Sequence, residues 1–289
     1  MTLIESELLR RIQEYSREWS VSVDEPFETE TSVIAFGIRK DQPVALKVIK
    51  QPCDEWRSGE ILAAFDGNGV VRIYEYAPGA VLVERLRPGN SLVELALRGR
   101  DEEATDILAD VMRRMSARSS MSQLELPKHC PTVHDWAKGF GRYLTSADEQ
   151  IPRGLVEAGQ RVYLDLSASQ RSPRLLHGDF QHYNVLFDLN RGWLAIDPKG
   201  VVGELEYEIG AVLRNPYEDP ELFVFPSTIE RRLEQFRNSL HLDYERTLRW
   251  AFAQAILSAI WLIEDGFRVD ETIPALKLAE VIRSLFATK

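Results

Sequence analysis

The run His177-Gly178-Asp179-Phe180-Gln181-His182-Tyr183-Asn184 constrains this chain more than any other stretch. It sets a carboxylate and a carboxamide five positions apart, and Asp197 adds a second carboxylate in Leu194-Ala195-Ile196-Asp197-Pro198. Phosphoryl transfer from a nucleotide needs such a set. One carboxylate accepts or orients the attacking hydroxyl, while an amide and a second carboxylate hold the metal ions that neutralise the transferring group. Leu175-Leu176, Val185-Leu186-Phe187 and Trp193 to Ile196 flank these polar points. Such apolar runs predict short buried strands that present the polar residues from rigid neighbours. Asp179 is accordingly the candidate catalytic base or hydroxyl-orienting group. Asn184 and Asp197 are the candidate Mg²⁺ ligands, since magnesium takes oxygen donors and keeps several waters. A hairpin whose Asp, Asn and His residues only make turns is the plain alternative. The offset of Asn184 and the position of Asp197 at the end of the next apolar run tell against it. A metal-hydrolase site at His177, Asp179 and His182 has no helical His-x-x-x-His and no cysteine cluster beside it.

The segment from Leu175 to Pro216, with LLHGDFQHYNVLF and WLAIDPKGVVGELEYEIGAVLRNP, resembles the aminoglycoside phosphotransferases. Within them it is similar to the branch containing streptomycin 6-phosphotransferase and hydroxyurea phosphotransferase. In that branch Asp-Pro-Lys-Gly stands where protein kinases carry Asp-Phe-Gly, and the likeness in order and spacing extends over nearly the whole chain. The resemblance implies an α+β, bilobal, protein-kinase-like fold with a small antiparallel-sheet N-lobe and a larger, mainly helical C-lobe. It also implies an ATP- and Mg²⁺-dependent enzyme that phosphorylates a hydroxyl of an aminoglycoside or of hydroxyurea.

With 289 residues and 44% apolar content, the chain can fill one large domain or two lobes. A net charge of −10 argues against a nucleic-acid-binding surface, which is normally basic. It is compatible with a polar or cationic small-molecule substrate, because a carboxylate-lined cleft concentrates positive ligands. Cys53 and Cys130 lie far apart without metal-type spacing, as expected of free thiols in a reducing cytoplasm. The acidic start, Met1 to Glu7, does not read as a signal peptide. The most apolar stretch, Ala251 to Ile263, is too short to span a bilayer and reads as a core helix. A soluble, cytoplasmic protein with no membrane partner is the expectation.

Helical periodicity marks a first helix through Leu8, Ile12, Tyr15 and Trp19. Strands follow at Val33 to Ile38 and Val44 to Ile49, turned by Asp41-Gln42-Pro43, then a helix from Asp54 to Phe65. Val71 to Tyr76 and Val81 to Leu86 read as two more strands around Pro78-Gly79. Arg87-Pro88-Gly89-Asn90 marks the boundary between an N-terminal nucleotide-binding lobe, 1–86, and a C-terminal catalytic and substrate-binding lobe, 87–289. Beyond it, Asp101 caps a helix to about Ala117, and further helices are expected at 134–144, 155–166, 204–213, 228–239, 244–264 and 274–286.

Lys47 is a lone charge in the apolar strand Val44 to Ile49. Facing phosphates there, it needs a carboxylate from the next helix, and both Glu60 and Glu55 are in range. The resemblance favours Lys47–Glu60, the counterpart of the kinase strand-lysine and helix-glutamate pair. The loop Phe27-Glu28-Thr29-Glu30-Thr31-Ser32 has no glycine to let backbone amides close on a phosphate, and its glutamates must point away from one. Val83 to Leu86 is the expected hinge, where the resemblance implies adenine contacts from the Glu84 carbonyl and the Leu86 amide. Lys199 is close enough in sequence to Asp197 to meet the γ-phosphate. His177 is expected to be structural, and the resemblance implies that Glu208 anchors the catalytic loop. It also implies substrate-gripping acids in the helical lobe, for which Glu204, Glu218, Asp219, Glu264 and Asp265 are candidates. An inactive nucleotide-binding pseudokinase would have no need of Lys47, Asp179, Asn184 and Asp197 together. A protein kinase would carry Ala-Pro-Glu and an activation segment after Asp197, and neither is present.

Overall fold

The computed structural model describes residues 3–118, 126–127 and 129–287. It opens with helix α1 (Leu3–Glu18) and strands β1 (Ser22–Val23), β2 (Phe27–Glu28), β3 (Ser32–Arg39) and β4 (Gln42–Ile49). A 3₁₀ turn (Asp54–Arg57), helix α2 (Ser58–Phe65) and strands β5 (Ile73–Ala77) and β6 (Ala80–Glu84) follow. The sheet runs β1-β3-β4-β6-β5, with β2 also on β3, and its pairings are antiparallel. Leu8 and Ile12 of α1, with Trp19 just after it, pack on Val33, Ala35, Val44, Leu46 and Val48. The expected turn shifts by one residue. Lys40 and Asp41 both take positive φ, which matches the twist of a tight hairpin, and Pro43 falls inside β4 opposite Ile38.

Arg87-Pro88-Gly89-Asn90 is more than a connector. Strand β7 (Pro88–Ser91) joins a second sheet of order β10-β9-β7, with β9 (Val185–Asp188) and β10 (Gly192–Ala195). The crossing is fixed by Arg87 N donating to Asp188 Oδ2 at 2.9 Å and Leu189 N donating to the Arg87 carbonyl at 2.8 Å. A second strap runs from Gly69–Val71, where Val71 N donates to the Ala195 carbonyl and Ala195 N to that of Gly69.

Helices α3 (Val93–Leu97), α4 (Asp101–Arg118), α5 (Val133–Trp136), α6 (Lys138–Thr145) and α7 (Arg153–Ala168) lead to β8 (Arg174–Leu176). After β10 come β11 (Val201–Gly203), antiparallel to β8, and α8 (Ile209–Leu213), α9 (Pro220–Phe223), α10 (Pro226–Leu240), α11 (Tyr244–Glu264) and α12 (Pro274–Ala287). The expected 134–144 helix is two short ones, separated at Ala137, and 204–213 is a 3₁₀ turn (Leu205–Glu208) followed by α8. One large apolar cluster gathers α4, α7, α10 and α11 around Phe140, Tyr163, Tyr207, Phe236 and Trp250. Ile61, Leu62 and Phe65 of α2 belong to that cluster, not to the one under α1.

Two buried ion pairs fix the helices. Arg232 is fully buried and binds Asp101, while donating to the Val212 and Asn215 carbonyls at 3.2 and 2.8 Å. Asp101 therefore ties α4 to α10 through Arg231 and Arg232. Glu204, an acid expected to meet substrate, instead accepts from Arg246 and Trp250 inside the core. Removing one partner of such a pair leaves a buried charge uncompensated. Arg232→Met is expected to lower the unfolding free energy by about 3–5 kcal/mol, measured by urea denaturation. A loss below about 1 kcal/mol would mean that Asp101 is satisfied without it.

Candidate active site

Strand β8 delivers the chain into the loop 177–181, and the 3₁₀ turn His182–Asn184 returns it to β9. Buried Glu208 holds the start of the loop by accepting from His177 N at 2.7 Å and Gly178 N at 2.9 Å. The His177 ring is fully buried, and its Nε2 lies 2.8 Å from the Ile196 carbonyl. A carbonyl only accepts, so that nitrogen carries the proton and Nδ1 accepts from Asp179 N at 3.3 Å. Burial pushes the ring's pKa down, outweighing the pull of Asp179, so His177 is a neutral splint. Its carbonyl accepts from Gly200 N at 2.9 Å, which joins the loop to the Asp197-Pro198-Lys199-Gly200 segment.

The metal-ligand candidates are positioned by the same backbone. Asn184 donates its Nδ2 to the Asp179 carbonyl at 2.9 Å, and its own carbonyl accepts from Ile196 N at 2.9 Å. The amide thereby leaves Oδ1 as its acceptor. Asp197 sits at φ +56°, turned out of the strand direction. Gly178 and Gly200 both take positive φ, where a side chain is disfavoured. At Gly200 a Cβ would come within 2.4 Å of Ile61, so only glycine lets α2 seat on this segment.

Lys47 Nζ lies 2.7 Å from Glu55 Oε2 and 2.7 Å from Asp197 Oδ1, with 9% of its side chain exposed. Burial alone would lower the ammonium pKa, but Asp197 and Glu55 raise it above the ordinary lysine value. The expected Lys47–Glu60 pair is not the one formed. Glu60 is bound to Arg57 at 2.7 Å, and Glu55, in the 3₁₀ turn ahead of α2, takes the lysine. Lys199 Nζ stands 3.8 Å from Asp179 Oδ2 and 3.9 Å from Asp54 Oδ2. Burial depresses Lys199 as well, yet Asp179, Asp54 and Glu55 outweigh it and raise its pKa.

The remaining candidates divide. Glu84 uses its carboxylate on Arg72 N and Arg191, so its side chain braces the hinge. Arg85 N and Arg87 N are engaged by the Pro43 carbonyl and Asp188, and no backbone partner of Leu86 N occurs among the described residues. Glu28 is engaged by Lys50 at 3.0 Å. Glu264 pairs with Arg142, and Asp219 caps α9. Glu218 accepts from the Tyr183 hydroxyl, beside the stacked rings of Tyr183 and Tyr217. Sequence reasoning gave no role to Arg214, whose guanidinium feels Asp179 and is held by Gln254. A lone arginine closing the apolar run Ile209 to Leu213 was the available signal.

The donor set fits Mg²⁺ and nothing softer. Asn184 and Asp197 offer hard oxygens, and two protein ligands suffice where phosphates and waters complete the shell. Among the described residues no group of three or more His, Cys, Asp or Glu is placed to hold a metal, and His182 is a buried neutral ring pushed down to about 3. Cys53 and Cys130 are free thiols.

A six-stranded antiparallel N-terminal sheet, a helical C-terminal half and this convergence define a protein-kinase-like fold. The solved structure of a thermostable aminoglycoside phosphotransferase APH(4)-Ia mutant, in ternary complex with AMP-PNP and hygromycin B, superposes with a TM-score of 0.66. It shares 15% identity, and the match covers 94% of this chain and 97% of that one. In sequence, the family described as aminoglycoside/hydroxyurea antibiotic resistance kinase matches residues 18–266, and the chain belongs to it. Streptomycin 3''-kinase of Klebsiella pneumoniae is 35% identical over 78% of this chain and 82% of its own length. Hydroxyurea phosphotransferase of Kitasatospora aureofaciens is 29% identical over 89% and 73%. No helix among the described residues is long and apolar enough to cross a membrane.

Burial pushes Glu208 up to about 7 from 4.5, despite the bonds from Gly178 and His177. The folded protein then keeps a proton that the unfolded chain has lost, so this group's contribution to stability declines as pH rises across that window. Glu208→Gln is expected to abolish that decline, seen by comparing urea unfolding below pH 4.5 and above pH 7. At the acid end the variant should be about 1–3 kcal/mol less stable, because an amide N–H now meets a backbone N–H. An unchanged pH dependence would show that Glu208 does not carry it.

Proposed function

We propose that this chain is an ATP- and Mg²⁺-dependent kinase that transfers the γ-phosphoryl group to a hydroxyl of a streptomycin-like aminoglycoside or of hydroxyurea. The observation that carries the reading is Lys47 held between Glu55 and Asp197 while Asp179 stands beside Lys199. Kinase-type transfer needs those charges in one crevice. Residues 1–86 act as the nucleotide lobe and 87–289 as the catalytic and acceptor lobe. The Leu86 amide, without a backbone partner among the described residues, and the Glu84 carbonyl receive the adenine edge, and Lys47 reaches the α- and β-phosphates.

Asp179 accepts the hydrogen bond of the attacking hydroxyl and aims its oxygen at phosphorus. As the O–P bond forms, the proton passes to an Asp179 oxygen and ADP leaves. Lys199 neutralises the γ-phosphoryl oxygens, and Arg214 holds positive charge behind Asp179. Asn184 and Asp197 hold Mg²⁺, which when bound offsets negative charge on the nucleotide's phosphates. Positioning supplies most of the rate, which suits a loop splinted by His177 and Glu208. The streptomycin and hydroxyurea specificity of the similar enzymes and the nucleotide analogue in the related complex support this reading.

A coupled nucleotide-turnover screen with streptomycin, other aminoglycosides, hydroxyurea and amino alcohols tests it. Asp179→Asn is expected to cut kcat by about 10²–10⁴ while ATP still binds. Turnover equal to that of the unaltered protein would remove Asp179 from the reaction. Glu55→Gln should raise the ATP KM about tenfold and Glu60→Gln less than about twofold. The reverse order would restore the pair expected from sequence.

A further inference from the structure

Three of the four backbone amides in the interlobe segment 84–87 are already engaged. Glu84 N donates to the Arg72 carbonyl at 2.9 Å, Arg85 N to that of Pro43 at 3.1 Å, and Arg87 N to Asp188 Oδ2 at 2.9 Å. Leu86 N has no backbone partner among the described residues. The Arg85 guanidinium lies over the Phe36 ring, 3.8 Å from its centre, which keeps that side chain on the N-terminal sheet.

The second grip comes from the turn between β9 and β10. Buried Asp188 divides its carboxylate: Oδ2 takes Arg87 N, while Oδ1 takes Asn190 N at 2.9 Å and Arg191 N at 3.0 Å. The turn so fixed sends Arg191 back across the segment. Its Nη1 donates to Glu84, and its Nη2 to the Gly67 carbonyl at 2.7 Å. The Arg191 and Glu84 side chains are only 20% and 13% exposed, so water and salt screen the pair little. Glu84 Oε1 also takes Arg72 N at 2.7 Å. A planar fork reaches two acceptors in different segments, which the point charge of a lysine does not. One hairpin turn therefore fixes both ends of the segment, residue 84 through Arg191 and residue 87 through Asp188.

Fixing both ends fixes which groups meet a base. The nucleotide reading assigns the base to the Glu84 carbonyl, an acceptor, and the Leu86 amide, a donor. Adenine turns an N6–H donor and an N1 acceptor to such a pair, and both match. Guanine turns an O6 acceptor and an N1–H donor, and both are opposed. Guanine fits only if the segment slides or turns until another carbonyl meets its N1–H, and the clamp resists that movement. We propose that Arg191 is a positioning residue for the nucleotide. Through Glu84, and with Asp188 at the other end, it holds the hinge in the register that accepts adenine and rejects guanine. The proposal rests on the kinase reading above and adds which nucleoside triphosphate the site takes and what enforces the choice.

The test is calorimetric titration of the full chain with Mg²⁺-ATP and with Mg²⁺-GTP, without an acceptor. The unaltered protein is expected to bind ATP about tenfold or more tightly than GTP. Arg191→Met should raise the ATP Kd about tenfold and leave the GTP Kd within about twofold, so that the preference collapses. Arg191→Lys, which keeps the charge beside Glu84 but meets one acceptor, should fall between the two. Melting temperatures are measured alongside. If Arg191→Met does not fold, Glu84→Gln carries the decision, because it keeps an acceptor for Arg72 N but no charge for Arg191. Its ATP preference should drop about threefold or more. Equal weakening of both nucleotides in Arg191→Met, or an unchanged preference in whichever variant decides, would overturn the role of the clamp. Equal binding of ATP and GTP by the unaltered protein would overturn it as well and leave the kinase reading intact. Binding of neither nucleotide would overturn both.

Discussion

A lysine ammonium withdrawn from water must be matched by negative charge, and at Lys47 the match comes from two separate parts of the chain. Glu55 is supplied by the turn after β4, and Asp197 by the segment after β10. The pair of contacts ties the N-terminal sheet to the Asp197–Gly200 segment, with Gly200 packed on Ile61 a few residues away. Neither carboxylate alone would balance the geometry. Asp197 reaches the lysine because its left-handed backbone turns it out of line, and Glu55 does so because the 3₁₀ turn precedes α2.

Everything that keeps Asp197 and Asp179 in register lies underneath. Glu208 gathers two backbone amides of the loop, the His177 ring crosses to the Ile196 carbonyl, and Asn184 closes back on the Asp179 carbonyl. The two Glu208 bonds are buried, so breaking one leaves an unsatisfied polar group rather than a hydrated one. The loop is therefore stiff where chemistry needs aim. The surrounding helices hold it through Tyr207, which packs on Trp136, Tyr163 and Trp250, and through the Glu204–Arg246 pair.

Much of this was legible in the residues. The polar points between apolar runs located β9, β10 and the loop between β8 and β9, and α11 begins and ends where its periodicity says. Local pattern sufficed there because burial and period agree. The lysine partner was not legible. Glu55 and Glu60 lie five residues, nearly one and a half helical turns, apart, and only the 3₁₀ geometry of 54–57 decides between them. Strand β7 was hidden because it pairs with β9 some hundred residues later, a contact no local window contains. The same holds for Glu204, which resembles a surface acid until Arg246 and Trp250 are brought to it.

Nuclear magnetic resonance of the Lys47 ammonium nitrogen, in lysine-labelled protein and assigned by its loss in Lys47→Met, reads the central contact directly. Adding ATP with Mg²⁺ is expected to move that resonance, because Asp197 turns from the lysine toward the nucleotide while Glu55 stays. If saturating Mg²⁺-ATP leaves Lys47 unmoved and shifts a different lysine instead, the nucleotide does not bind against the Glu55–Lys47–Asp197 chain.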